Sequence, residues 1–270
     1  MEMFFYGFMQ RAFLAGIAMA FITPILGLFL ILRRQSLMAD TLSHVSLVGV
    51  ALGMLLGFNP TLTTLVVVVV AALGLEYISK YFRGYSEISI AILMSGGMAI
   101  ALILLNMQSG QTAVSVDQFL FGSIVVITQE QVYLLIGLAF LVVALYVIFR
   151  KPLYVLTFDP DTAHTAGLPV RLMSSLFTVI TGVVISVMMP IAGALLVSAI
   201  IVLPASISLR VSRSFNSVII IGIAISLFGI ITGLMASYQF DSPPGATITV
   251  IFMVLLLLSI AKTALQKYIK

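Results

Sequence analysis

Long apolar runs separated by short polar stretches are the main pattern along this chain. A membrane-spanning helix needs about 20 mostly apolar residues, because it rises about 1.5 Å per residue across a hydrocarbon layer about 30 Å thick. The run at 193–209 is the shortest and contains Pro204, so we expect eight full spans and one that is short or broken. The nine runs are residues 12–32, 38–57, 61–80, 88–106, 131–149, 172–189, 193–209, 217–237 and 245–261.

The composition supports the same interpretation. Hydrophobic residues make up 61% of the 270 positions and charged residues 8%, whereas soluble domains carry about 25% charged residues. The sequence therefore predicts an all-α polytopic membrane protein with a single transmembrane domain over residues 1–270. The first apolar run continues to Leu32 and is too long for a cleaved signal peptide, so we expect it to be retained as the first span.

The basic residues predict how the spans are oriented. If nine spans alternate in direction, all 13 Lys and Arg residues except Arg11 fall on one side of the membrane. Because cytoplasmic loops are enriched in Lys and Arg, this pattern places the N-terminus outside and the C-terminus in the cytoplasm. The formal charge of +4 then reports orientation and not binding to nucleic acid. Two connections are long, an outer loop at 107–130 and a cytoplasmic segment at 150–170.

A short helix is predicted within the cytoplasmic segment. Pro160 suits the first position of a helix, and Gly167 followed by Pro169 is a stop signal. Such a helix could be gripped by a soluble partner or could be an ordinary connector, and the residues alone favour neither. The chain contains no Gly-x-x-x-x-Gly-Lys-Ser/Thr sequence, so it has no phosphate-binding loop of this kind.

The second predicted span contains two ionisable residues. Asp40 and His44 are four apart and share one face of the helix, with His44 about 10 Å inside the apolar layer. Gly49, Gly53 and Gly57 fall on the opposite face, where small residues let another helix approach closely. If the glycines pack inside the subunit, the Asp/His face lines a cavity. The alternative is that Asp40 pairs with a nearby arginine and that His44 bonds to a neighbouring carbonyl.

The chemistry of this pair suits a divalent transition metal such as Zn²⁺ or Mn²⁺. Two ligands are too few for a closed zinc site, but a two-fold dimer with the pair facing its axis would supply four. The chain has no cysteine, and a sparse site without thiolates is weak enough to release its ion. These properties favour a transport path over a resident metal centre.

The other acids have simpler explanations. Glu76 is four residues before Lys80, which predicts an ion pair on the helix surface. Glu87 begins the fourth span, where the helix N-terminus favours an anion. Asp241 precedes a rigid Pro-Pro-Gly turn, and it either caps the following helix or attracts cations at the outer mouth of the path.

The segment Asp40-Thr-Leu-Ser-His44-Val-Ser-Leu-Val-Gly49 resembles the D-x-x-S/A-H-x-x-L-x-G signature of the permeases of zinc and manganese ABC importers, the ZnuB/MntB-like family. Phe240-Asp241-Ser-Pro-Pro-Gly245 is similar to the Tyr-Asp-Thr-Pro-x-Gly of the zinc branch, which favours zinc over manganese. The resemblance covers essentially the whole chain. The other segments that are similar to the family's blocks, in the same order, are 119–123, 159–167, 193–198 and 203–205.

This resemblance implies a multi-pass permease of the cell membrane that is not itself an enzyme. Its implied partners are a second copy of the chain, two cytoplasmic ABC ATPase subunits, and an extracytoplasmic metal-binding lipoprotein or periplasmic protein that docks on the outer loops. Asp40 and His44 would contact the transported Zn²⁺ or Mn²⁺, no cofactor would be bound permanently, and ATP would bind the partner. The residues expected to couple to the ATPases are Asp159, Asp161, Ala163 and Gly167.

Three other functions fit part of the pattern. The same architecture could carry manganese or, less readily, iron chelates or cobalamin, but bulky chelates need no ligands such as Asp40 and His44. A secondary transporter could move protons on either residue, and it predicts transport without any ATPase. An intramembrane metalloenzyme needs a third ligand and a general base at depth, for which the sequence offers only Glu76.

Overall fold

The computed structural model describes residues 6–79, 81–82, 86–107, 122 and 127–268. Every regular element in these residues is an α-helix, as the hydropathy pattern predicts. The helices are α1 (Gly7–Leu32), α2 (Met38–Leu56), α3 (Pro60–Ser79), α4 (Ser86–Met107), α5 (Gln129–Phe158), α6 (Pro160–Thr165), α7 (Val170–Ala192), α8 (Ala194–Val211), α9 (Phe215–Phe240) and α10 (Pro244–Tyr268).

All of these helices except α6 are long and apolar enough to cross a membrane, which gives nine candidate spans in the described part of the chain. The shortest of them, α8, has 18 residues, which corresponds to a length of about 27 Å. Pro204 lies inside α8 and does not end it, since the helix continues to Val211. The prediction of an all-α polytopic membrane protein with about nine spans is confirmed, and the orientation of its termini stays a prediction.

The helix α5 is longer than the sequence pattern indicated. It begins at a capping box, in which the Thr128 hydroxyl accepts from the Gln131 N–H and the Gln131 side chain accepts from the Thr128 N–H. It then continues past residue 149, through Pro152, to Phe158. The charged pair Arg150 and Lys151 marks the expected edge of the apolar layer, but a helix does not have to end at that edge.

Two central helices organise the packing. The helix α1 packs against α5, α8 and α9, while α2 packs against α3, α4 and α7. Contacts between α2 and α8 join the two groups. The helix α10 lies at the edge against α8 and α9, and its Leu257 and Leu258 are each 60% exposed. Such apolar exposure is expected where the surroundings are lipid, which does not penalise it.

A single residue, Gly193, separates α7 from α8. Its φ of 82° and ψ of 154° lie in a region that is open almost only to glycine. Gly122 rests against this reversal, and a Cβ added to Gly122 would lie 2.4 Å from the carbonyl carbon of Ala192. The predicted outer loop 107–130 therefore touches the chain at this point, while its residues 108–121 and 123–126 lie outside the described residues.

Candidate functional site

The start of α2 is positioned by the end of α1. The Gln35 N–H donates to the Leu30 carbonyl, and the Met38 N–H donates to the Gln35 carbonyl. Asp40 then lies in the first turn of α2, where the free N–H groups of the helix favour a negative charge. The turn between the two helices therefore determines where the carboxylate is held.

The glycine face of α2, formed by Gly49 and Gly53, packs directly on α3. A Cβ added to Gly49 would lie 2.3 Å from the Thr64 Cα, and one added to Gly53 would lie 2.8 Å from the Pro60 Cα. No side chain fits in such a gap, so the prediction of close packing is confirmed for these two glycines. It is wrong for Gly57, which has a φ of 68° and nothing within 4 Å, and which ends the helix as its C-cap.

The polar face of α2, formed by Asp40 and His44, stays partly open. The Asp40 side chain is 32% exposed and the His44 side chain 12%, and 3.7 Å separates His44 Nε2 from Asp40 Oδ1. Nδ1 of His44 is buried without a hydrogen-bond partner among the described residues, an arrangement that costs about 1–3 kcal/mol. The imidazole is therefore not held by a neighbouring carbonyl through this nitrogen, as the alternative interpretation required.

The geometry of the polar face allows one metal ion to contact both side chains. Zinc binds imidazole nitrogen and carboxylate oxygen at about 2.0–2.2 Å, so two tetrahedral ligands are about 3.4 Å apart. The observed 3.7 Å between the two atoms is close to that spacing. No group of three or more His, Cys, Asp or Glu side chains suited to a metal occurs in the described part of the chain. One subunit thus supplies two ligands.

A half-buried arginine, Arg33, lies just before α2 and makes contacts that the sequence pattern did not indicate. Arg33 donates to the hydroxyl of Ser174, and its guanidinium carbon lies 5.5 Å from the centre of the Phe177 ring. Burial lowers the pKa of the Arg33 guanidinium, and the negative charge of Glu76 opposes that shift. Arg33 therefore ties the turn between α1 and α2 to α7, and it forms no ion pair with Asp40.

Glu76 has a different setting from the one predicted. Its expected partner Lys80 lies outside the described residues. Oε2 of Glu76 is buried without a hydrogen-bond partner within the described ranges, and its charge acts on Arg33. The carboxylate therefore belongs to a partly buried cluster between α1, α3 and α7.

The predicted short helix is present as α6. Asp159 caps it, because Oδ1 accepts from the Thr162 N–H at 2.9 Å and Oδ2 accepts from the Thr162 hydroxyl. The helix terminates before Gly167, whose φ is 78°. The Leu168 N–H then donates to the Ala163 carbonyl, which is the six-to-one bond of a Schellman motif.

The four residues predicted to couple to an ATPase are placed unequally around α6. Ala163 is completely buried, whereas Asp159 and Gly167 are exposed. Asp161 lies on the helix, but its side chain lies outside the described residues. The structure thus shows a capped helix that contacts α5 and α7, buries Ala163 and is exposed at both ends.

Asp241 ends α9 and does not cap α10, so the capping interpretation is wrong. Its φ of 48° and ψ of 38° are left-handed, a conformation that a short polar side chain tolerates better than most. The Ser237 hydroxyl donates to the Ser242 carbonyl, and the hydroxyls of Ser242 and Thr247 lie 2.7 Å apart. Asp241 is exposed beside this turn, and its attraction for cations stays a prediction.

Comparison with known proteins identifies the family. Residues 5–263 match the ABC 3 transport family, so this chain belongs to that family. With nine candidate spans in its described residues and relatives that are membrane subunits of transport systems, it is a multi-pass permease of the plasma membrane and not an enzyme.

Two relatives and one solved structure show what the chain is similar to. It is 30% identical over 254 residues to a manganese transport system membrane protein, MntC of Listeria innocua, covering 92% of this chain and 90% of MntC. It is 27% identical over 252 residues to the high-affinity zinc uptake system membrane protein ZnuB of Haemophilus influenzae, covering 93% and 96%. A chain of PsaBC from Streptococcus pneumoniae in complex with Fab is 28% identical with a TM-score of 0.83, covering 94% of this chain and 91% of that chain. The predicted resemblance to zinc and manganese ABC permeases is confirmed.

Proposed function

We propose that this chain is the membrane-spanning subunit of an ATP-driven importer of a divalent transition metal. Zinc is the first candidate for the transported ion. The observation that carries the proposal is the polar face of α2, where a carboxylate and an imidazole lie 3.7 Å apart and partly open. Ionisable side chains inside a bilayer are costly and mark the paths of polar substrates. The ion is substrate here, and no resident cofactor is needed.

A second copy of the chain would complete the site. A two-fold axis that faces the polar face would bring two carboxylates and two imidazoles together, which are the four ligands that zinc usually takes. Within its described residues, each copy alone offers two such ligands at this face. Movement of the copies apart at one side would therefore weaken binding and release the ion.

The ligand set favours zinc over manganese. Manganese prefers octahedral shells of oxygen ligands, whereas the polar face pairs a carboxylate with an imidazole nitrogen. Both of these groups are ordinary zinc ligands. Manganese is the second candidate, because a relative that is 30% identical carries a manganese transport name.

The energy and the delivery of the ion would come from partner proteins. The chain has no phosphate-binding loop, so two cytoplasmic ATPase subunits would hydrolyse ATP. We assign their contact to α6, with Asp159, Asp161 and Gly167 available to the partner and the buried Ala163 fixing the helix in place, since exposed ends on a fixed helix suit a rigid docking element. A metal-binding lipoprotein or periplasmic protein would deliver the ion on the opposite side, near Asp241.

Uptake of radioactive zinc and manganese by cells that carry Asp40→Ala or His44→Ala tests the proposal. We expect each variant to lower uptake of the cargo metal by about tenfold or more, because even indirect supports of a metal site cost 10–100-fold when removed. The ATPase should co-purify with both variants, since α6 is unchanged. Normal uptake in both variants would overturn the proposed site.

A matched control is available on the same helix. Ser46 is buried, and its hydroxyl donates to the Ser43 carbonyl within the same helix. Because this hydroxyl does not belong to the polar face, Ser46→Ala should leave uptake close to that of the unmodified protein. The metal whose uptake is lost in the Asp40 and His44 variants, but not in this control, is the cargo. Uptake that persists in cells without the ATPase would favour the secondary-transporter alternative instead.

A further inference from the structure

A half-open apolar cleft lies between α1, α5 and α7. Its volume is about 320 Å³, and Phe149, Leu172 and Leu176 on its rim are 44%, 58% and 51% exposed. The cleft therefore opens to the surface of the subunit, and it does not involve the polar face of α2. Prominent side chains in its wall are Phe29, Tyr146, Phe149, Leu172, Leu176 and Phe177.

Three cations lie at the end of this cleft where α5 leaves the apolar layer and α7 enters it. Arg150 lies one turn after Tyr146 and acts on it electrostatically. Lys151 follows Arg150, and Arg171 directly precedes the rim residue Leu172. All three cations are exposed, and none of them forms an ion pair with another described residue. The rim thus combines apolar walls with uncompensated positive charge.

The geometry points to a binding site for an anionic phospholipid, with one acyl chain in the cleft and the phosphate group at Arg150, Lys151 and Arg171. Every membrane lipid offers an acyl chain, so the apolar walls alone do not select one. The headgroup charge does, because each Lys or Arg close to a membrane surface contributes about fivefold in affinity for anionic lipid. The proposed binding is the same whichever leaflet the basic end of the bundle faces.

The charge and shape requirements act together at this position. A phosphate held at the basic rim leaves its acyl chain pointing along α5 and α7 toward Phe29, which is buried at the inner wall. Ile103 on α4 is also apolar and is 61% exposed. It lies near the C-terminal end of α4 and is remote in the sequence from the three cations. We therefore expect lipid selectivity at the cleft and none at Ile103.

Quenching of a single tryptophan by brominated lipids tests this site. The chain contains no tryptophan, so Leu172→Trp places one reporter in the cleft wall. The full-length variant is reconstituted in phosphatidylcholine that contains either brominated phosphatidylglycerol or brominated phosphatidylcholine. We expect the anionic lipid to quench with roughly a hundredfold higher apparent affinity, since each of the three cations contributes about fivefold. Adding Arg150→Gln, Lys151→Gln and Arg171→Gln should remove that preference.

Two controls make the outcome decisive. Ile103→Trp should be quenched equally by the two lipids, and each single charge substitution should lower the preference at the cleft by about fivefold, which keeps the comparison available if the triple variant does not fold. Equal quenching with Leu172→Trp would overturn the proposal, because the cleft would then take any lipid. Quenching by neither lipid would also overturn it, because a protein surface would then cover the cleft. The measurement uses no transport, so its result is independent of the proposed function.

Discussion

The two faces of α2 are built in opposite ways. On the glycine face the backbone of α2 touches that of α3, with only 2.3 Å between a would-be Cβ on Gly49 and the Thr64 Cα. On the polar face Asp40 and His44 remain 32% and 12% exposed, and one ring nitrogen lacks a partner among the described residues. The glycine face is fully packed within the subunit, whereas the polar face is partly exposed and has a polar atom without a partner in the described part of the chain. Close packing on the first face holds in place an arrangement that is unfavourable on the second, as is common at functional sites.

Breaking the glycine face should have the largest effect. Gly49→Val places a branched side chain where the α3 backbone lies, and overpacking of this kind costs about 3 kcal/mol or more. We expect a large drop in the unfolding temperature of the purified protein or failure to accumulate in the membrane. The matched control is Gly74→Ala on α3, because nothing lies within 4 Å of a Cβ there. Equal stability of the two variants would mean that α2 and α3 are not in backbone contact.

Removing the charge at the foot of α2 should have the next largest effect. Arg33→Gln weakens a charge-assisted hydrogen bond to Ser174 and the contact with Phe177, which together are worth about 2 kcal/mol. Adding Glu76→Gln to this variant should recover part of the loss, because it removes the negative charge that Arg33 no longer balances. A thermal-unfolding double-mutant cycle measures the coupling. Strict additivity of the two substitutions would show that Arg33 and Glu76 act independently.

Filling the polar face with an apolar side chain sharpens the contrast between the two faces. His44→Leu removes a buried nitrogen that has no partner within the described ranges, so we expect it to stabilise the protein by about 1 kcal/mol while metal uptake is lost. Unfolding temperature and uptake are measured on the same preparation of cells. A variant that loses both stability and uptake would indicate that His44 has a structural role instead.

The smallest effect is expected outside both faces, at α6. Asp159→Ala removes the oxygen atoms that accept from Thr162, and the loss of such a cap costs about 1 kcal/mol. Because α6 is short, the loss should appear as faster hydrogen exchange within residues 160–165 and not as a lower global stability. Asp159→Asn keeps an acceptor oxygen and should exchange almost as slowly as the unmodified protein. Unchanged exchange in the alanine variant would show that the cap is dispensable.

Features set by neighbouring residues were predictable from the sequence. Hydropathy located the nine candidate spans found in the described part of the chain, and Pro160 with Gly167 located α6, because both signals are local. The spacing of Gly49 and Gly53 indicated a packing face, although it could not exclude Gly57, which continues the spacing but ends the helix. The Asp/His pair was visible as one helix face for the same reason.

Features set by distant residues were not predictable. The partner of Arg33 lies 141 positions away at Ser174, and only the arrangement of α1 against α7 brings the two together. The contact of Gly122 with Ala192 depends on the same kind of information. Asp241 was misplaced because a polar residue before Pro-Pro-Gly can equally end one helix or begin the next, and the backbone conformation decides between them.

The single-residue link at Gly193 also constrains how the subunit can change shape. The Gly193 N–H donates to the Met189 carbonyl, and the Val197 N–H donates to the Gly193 carbonyl, so helical bonding reaches the reversal from both sides. Because Gly193 alone links the two helices, α7 and α8 should tilt together as one hairpin during a transport cycle. Labels placed beside Gly193 on α7 and α8 should then keep a constant separation, and the flexing should fall on the longer links at 166–169 and 212–214.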